Sequence, residues 1–152
     1  MLNKEEISEI IRVLVPEVVV PEGTQLPEFI VPAEKYFQLV EKLKSDKKLS
    51  FNYLISQTAV DFQTNMTVVC HLESTELRHL AVVKVVLTDR ENPVIDSLTA
   101  LYPTAEYLER EIFDLFGIRF NNHPNMKRLF LEDDYGYPLR KDFRDEVNII
   151  ER

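Results

Sequence analysis

Residues 66–72 (MTVVCHL) and 80–88 (LAVVKVVLT) are rich in β-branched side chains and flank a short polar turn around Glu73 to Glu76. Two such runs so close together read as a β-hairpin. The flanking segments then supply its neighbours. Asn3 with Glu6 makes a capping-box start, and Ile7, Ile10, Ile11 and Leu14 give a helical stripe that Pro16 ends. Residues 18–20 are a short strand candidate before the turn at Pro21-Glu22-Gly23, and residues 29–31 are another. Pro32 suits a first helical turn, and Tyr36, Phe37, Leu39, Val40 and Leu43 predict a helix to about Lys44. Residues 51–54 fit either a helix end or a strand, and Asp61-Phe62 begins an extended region. Residues 94–98 read as a further strand. The expectation is an α+β two-layer sandwich, residues 1–120, with a mostly antiparallel sheet and helices on one face. Residues 121–152 follow as an extended tail.

The second organising feature is an amphipathic helix entered at Thr104, the expected N-cap, and stopped by Gly117 in the left-handed role. Leu108, Ile112, Leu115 and Phe116 form its apolar stripe. Glu106, Arg110 and Asp114 recur every four residues as an acid–base–acid ladder. Such ladders are ordinarily solvated faces worth a few tenths of a kcal/mol per pair.

The tail is broken by His123-Pro124, Gly136 and Pro138. Residues 119–144 carry six basic and four acidic side chains, net +2, in a chain of formal charge −8, so the other residues sum to −10. A basic segment rich in Phe, Leu and Tyr is poor linker material. Arg with aromatics is the composition of interface cores. The alternative is a tail packed on its own domain with solvated charges. Proline-broken segments without regular structure cover little apolar area, so mobility is expected in the isolated chain.

Charge and composition exclude several functions. A net charge of −8 argues against nucleic acid and against direct docking on anionic lipid. The single cysteine, Cys70, forms no internal disulfide and cannot hold an iron–sulfur cluster, which takes about four Cys ligands. Among Val68, Val69 and Leu72 it reads as a small buried hydrophobe. No run of about 18 apolar residues exists, so no transmembrane helix is expected, and the acidic N-terminus does not read as a signal peptide. Gly23, Gly117 and Gly136 are the only glycines, so neither a dinucleotide fingerprint nor a P-loop can be written.

Three histidines carry weak signals. His71 and His79 sit on the two hairpin strands, but two imidazoles without a third ligand make no zinc site. His123 beside Glu109 or Glu111 could act as a base, yet no nucleophile is spaced with it. Glu132, Asp133 and Asp134 read as surface acids and turn chemistry ahead of Gly136.

The run from Glu109 to Ile118 (EREIFDLFGI) resembles the signature of the C-type subunit of respiratory complex I, the 30 kDa subunit of NADH:quinone oxidoreductase. His123-Pro124, Lys127-Arg128 and the stretch from Pro138 to Phe143 (PLRKDF) fit the same family in the same order. The chain departs from the family at Asn122, usually Gly, at Tyr135, often Trp, and at Arg144, usually Pro.

The resemblance implies a non-catalytic peripheral-arm subunit that scaffolds the quinone-site subunit of a proton-pumping enzyme. Its implied partners are the D-type (49 kDa) and B-type subunits of complex I and other peripheral-arm subunits, with no direct membrane insertion. NADH, FMN, iron–sulfur clusters and quinone would all lie in those partners, and none in this chain. The implied location is peripheral, on the cytoplasmic face of the inner (plasma) membrane. The expected partner surface comprises Glu106, Glu109, Arg110, Glu111 and Asp114 of the helix. It continues with His123, Lys127, Arg128, Pro138, Leu139, Arg140, Lys141, Asp142 and Phe143 of the tail. Arg110 and Arg140 are the leading anchors, because a guanidinium grips carboxylates or carbonyls bidentately. The nine residues after Phe143 imply less wrapping of the partner than in longer relatives. Two alternatives stand beside this reading. One is a homologous subunit of a membrane-bound hydrogenase or a ferredoxin- or F420-linked complex. The other is a free-standing hydrolase built on Glu109, Glu111 and His123.

Overall fold

The computed structural model of this chain describes residues 2–145. Residues 146–152 of the expected tail lie outside them. Helix α1 (Lys4–Leu14) begins with the anticipated capping box: Asn3 accepts from the Glu6 N–H, and the Glu6 side chain accepts from the Asn3 N–H. Ile7 and Ile11 bury its apolar stripe. Strand β1 (Glu28–Ile30) follows, then a single 3₁₀ turn (Ala33–Lys35) after Pro32 and helix α2 (Tyr36–Ser45). The segment at 18–20 contributes only a bridge between Val19 and Ile30, so the strand expected there does not form.

The central sheet has the order β1-β4-β3-β2, where β2 is Tyr53–Asp61, β3 is Met66–Ser74 and β4 is His79–Leu87. The hairpin of β3 and β4 turns at residues 75–78, slightly later than the sequence suggests. β1 runs parallel to β4, and the remaining pairs are antiparallel. Strand β2 corrects the sequence reading. Asp61 ends a nine-residue strand rather than beginning an extended region. Its alternation is disguised because the register slips between Leu54 and Ser56, and because the inward positions after the slip include Gln57 and Asp61. A shift of one residue reverses which side chains face the core.

One sheet face is closed. Leu54, Val68, Cys70, Leu72, Val83 and Val85 share a core with Ile7, Leu39, Leu43, Ile112 and Phe116. On the opposite face Tyr53, Val60, Leu80 and Val86 are exposed. The helices therefore cover one face, as an α+β two-layer sandwich requires. His71 belongs to the open face, where Ser56 Oγ is 3.1 Å from its Nδ1. His79 points inward, with Nε2 2.6 Å from the Leu49 carbonyl. The two imidazoles thus never meet.

A second sheet, absent from the sequence reading, pairs β5 (Val94–Asp96) in parallel with β6 (Arg119–Asn121). It is a small clasp that brackets helix α3 (Ala105–Phe116) at both ends. Thr104 stands at the N-cap but is already helical and makes no capping bond, contrary to expectation. The preceding turns from Leu98 to Pro103 have begun the coil. Gly117 is left-handed, at φ 76°, as anticipated. Asn122 is also left-handed, at φ 62°. Asn tolerates that conformation better than other residues with side chains, which suits a position where the family usually has Gly.

Leu72 is fully buried at the centre of β3. Its replacement by Ala should cost about 2–5 kcal/mol, read as a lowered urea midpoint with an unchanged slope.

Candidate partner-docking surface

Helix α3 presents two working faces. Ala105, Ile112 and Phe116 enter the core, with Leu108 and Leu115 packed at its margin. The other face holds the tail. Arg110 donates to the carbonyls of Lys127 (3.3 Å) and Arg128 (2.9 Å). Asp114 is fully buried and accepts from the N–H groups of Phe130 (2.8 Å) and Leu131 (3.1 Å) and from Arg128 Nη1 (3.2 Å). The described ion pairs join none of Glu106, Arg110 and Asp114 to one another. The expected solvated ladder is instead a clamp on the chain's own tail.

The helix end is closed by the same segment. The last carbonyls of an α-helix lack intrahelical partners and carry the negative end of its dipole. Arg128 donates to the Asp114 carbonyl (2.6 Å), the Leu139 N–H to that of Leu115 (3.0 Å), and Arg140 Nε to that of Phe116 (2.6 Å). Gly117 N–H returns to Phe113. Arg128 also reaches the Gly136 carbonyl at 2.7 Å. The Tyr137 ring lies 4.8 Å from the guanidinium carbon of Arg128 and 4.9 Å from that of Arg140. A Cβ on Gly117 would come within 2.6 Å of the Tyr137 ring and 2.8 Å of Arg140. The expected anchors Arg110 and Arg140 are therefore engaged within the chain.

Farther along, Asp61 at the end of β2 accepts from Arg90 (2.6 and 3.1 Å), from Gln63 N–H and from Lys141 N–H at 2.7 Å. Arg90 also pairs with Asp142 at 2.8 and 3.0 Å. The Arg90 hydrogen bonds hold the Asp61 carboxyl well below the usual carboxylate range and lower that of Asp142. Phe143 stacks on Tyr135 with centroids 5.8 Å apart. The described tail is bonded to the domain near both its ends.

What remains outward-facing on this frame is apolar and charged, with the acids Glu132, Asp133 and Asp134 exposed as well as basic groups. Phe130 is 74% exposed and Leu139 50%, with Tyr107 and Tyr135 also exposed. The side chains of Lys127, Lys141 and Arg119 accompany them.

Residues 29–147 match the family described as the respiratory-chain NADH dehydrogenase 30 kDa subunit. The chain belongs to that family. It is 45% identical over 134 residues to the C-type subunit of NADH-quinone oxidoreductase from Moorella thermoacetica, covering 86% of this chain and 88% of that protein. It is 44% identical over 120 residues to the fused C/D-type subunit of the same enzyme from Phocaeicola vulgatus, covering 78% of this chain but only 23% of that longer protein. Among solved structures, a chain of an archaeal respiratory membrane complex, the membrane-bound sulfane sulfur reductase, aligns with a TM-score of 0.79 at 30% identity. That alignment covers 94% of this chain and 86% of the other.

In this complex I family member, the residues that carry the family signature are mostly those of the clamp. Two others do something different. Glu109 and His123 come together, 3.9 Å apart, but neither side chain touches solvent. Glu111 is half-buried and stands outside this pair. A sealed pair of this kind offers a substrate no access in this structure. Sequence reasoning missed Asp61, Arg90 and Gln57. Their partners lie tens of residues away, and no local pattern marks them.

Replacing Asp114 by Ala leaves two part-buried N–H groups without their acceptor and Arg128 without its carboxylate partner. The expected cost is about 3–5 kcal/mol, with amide protection lost at Phe130 and Leu131. Acid should act at Asp61. Because its folded pKa is depressed, its stabilisation is present at neutral pH and is lost as pH falls below the ordinary value of 3.8. Acid-unfolding curves of wild type and Asp61→Asn should converge at the lowest pH and diverge above it.

Proposed function

We propose that this chain is a redox-inactive peripheral subunit that braces the D-type (49 kDa) subunit of a complex I-type assembly. The observation that carries this is the bonded tail, which presents Phe130 and Leu139 outward from a frame tied to α3 through their own backbone N–H groups. Apolar side chains on a rigid support lose little entropy on binding, which is how a few residues come to dominate an interface. The basic groups beside them steer encounter and set register. The D-type subunit is the favoured occupant because the C and D portions occur in one polypeptide in relatives such as that of Phocaeicola vulgatus. The B-type subunit and other peripheral-arm subunits complete the surroundings.

The redox centres, with NADH, FMN, iron–sulfur clusters and quinone, belong on this reading to the partners. Cys70 supports it. The thiol is fully buried, 2.8 Å from Tyr36 Oη, and burial pushes it up to about 12, far from the thiolate a cluster requires. Attachment to the membrane would come through the partners, on the cytoplasmic face. No helix among the described residues is long and apolar enough to cross a membrane. A second reading keeps the role and changes the machine, since the same fold occurs in a sulfane sulfur reductase complex. Membrane-bound hydrogenases and ferredoxin- or F420-linked complexes belong with it.

Affinity purification of the tagged chain from its own cells should return the D-type and B-type subunits, and an NADH-binding flavoprotein separates the two readings. Phe130→Asp and Leu139→Asp should each weaken association with the purified D-type subunit by about 30-fold while leaving the melting temperature unchanged. Wild-type affinity in both variants would refute this surface.

A further inference from the structure

His123 stands at the root of the tail, just after left-handed Asn122. Its imidazole turns inward beneath α3. Nε2 donates to the Glu106 carbonyl at 2.9 Å, and Nδ1 accepts the Asn125 N–H at 3.0 Å. These two partners define the tautomer. The same Nε2 lies 3.9 Å from Glu109 Oε2. Glu109 accepts from Leu98 N–H (2.7 Å), Ser97 Oγ (2.6 Å) and the Gln57 amide (3.3 Å).

The groups facing this carboxyl come from every element around it. β2 supplies Gln57, which also reaches Tyr36 Oη of α2 at 3.3 Å, and Tyr36 meets Cys70 of β3. The link after β5 supplies Ser97 and Leu98, and the tail supplies His123. None of these carries a permanent positive charge. Burial keeps the Tyr36 phenol and the Cys70 thiol neutral and raises the Glu109 carboxyl above its ordinary range. The protonated acid fits the same partners without rearrangement. Its Oε2–H meets Ser97 Oγ, whose own proton turns to Thr99 Oγ1 at 2.8 Å, while Oε1 keeps the Leu98 N–H.

We propose that Glu109 and His123 form a proton-controlled hinge at the root of the tail, closed while the carboxyl holds its proton and loosened when the proton leaves. A carboxylate in this dry pocket keeps its hydrogen bonds from Leu98, Ser97 and Gln57 but meets no cation. The nearest basic side chain facing it is His123. Closing the 3.9 Å gap to Glu109 draws His123 Nε2 away from the Glu106 carbonyl. That change undoes the His-Pro-Asn turn from which the tail departs. The proton passes to solvent, and no other reactant is involved. The hinge is independent of which partner the tail meets.

The test uses the full chain alone. Amide protection of Leu139 and Lys141, which bond Leu115 O and Asp61 Oδ2, is followed from about pH 5 to about pH 9 and corrected for intrinsic exchange. The carboxyl of Glu109 is titrated by ¹³C NMR in the same samples. Protection in the wild type should fall by up to about tenfold per pH unit between 4.5, the ordinary carboxyl value, and the carboxyl midpoint, and level off above it. In Glu109→Gln, which keeps the shape and cannot ionise, the profile should be flat and high. The proposal fails if the carboxyl titrates at or below 4.5, its ordinary value. It fails equally if protection is lost at a pH unrelated to the carboxyl midpoint, a comparison that needs only the wild type, or if the Gln variant reproduces the wild-type profile.

Discussion

The carbonyl oxygens that end α3 govern the rest of the molecule. Those of Asp114, Leu115 and Phe116 need donors from outside the helix, and the chain returns after a long excursion to supply them from Arg128, Leu139 and Arg140. Cations are the fitting choice at the negative end of a helix dipole. This explains why a basic segment sits in an acidic chain. Its charge answers an internal demand before any external one, and the aromatic rings of Phe113 and Tyr137 complete the shells of the guanidinium groups. A segment with no strand or helix of its own thereby gains fixed partners along its course.

Most polar groups inside the domain find partners, Gln57 Oε1 and His79 Nδ1 being buried exceptions among the described residues. Buried polar atoms without partners are costly, so a core that admits Glu109 and Asp114 must provide donors for each. Asp114 binds two backbone N–H groups and an arginine, an arrangement that suits an anion. Glu109 has no comparable cation, and its surroundings suit a neutral acid. Two carboxyl groups less than two helical turns apart therefore live in opposite electrostatic worlds. The difference lies in what the tail brings to each: a guanidinium to one and an imidazole to the other.

Much of the architecture was legible in the sequence because it rests on local signals. The capping box at Asn3 and Glu6, the β-branched hairpin and the left-handed stop at Gly117 each need only neighbouring residues to be recognised. Strand β2 was hidden because a slip in register and two inward polar residues erased its alternation. β6 was hidden by its length. At the site, the signature run from Glu109 to Ile118 and the PLRKDF stretch marked the right region, but spacing alone could not tell inward from outward. Arg110, Asp114 and Arg140, expected at a partner surface, also hold this chain together. Asp61 and Arg90 were invisible, since their contacts with Lys141 and Asp142 are created only by the fold.

Gly117 is constrained from two directions. Its backbone turns left-handed to finish the helix, and its missing side chain is the space into which Tyr137 and Arg140 settle. Where the helix stops and where the tail lands are thus one decision, encoded at one residue. A lineage that lengthened α3 by another turn would have to reroute everything downstream at the same moment. The contour of the tail is locked in step with the core, and neither can drift without the other.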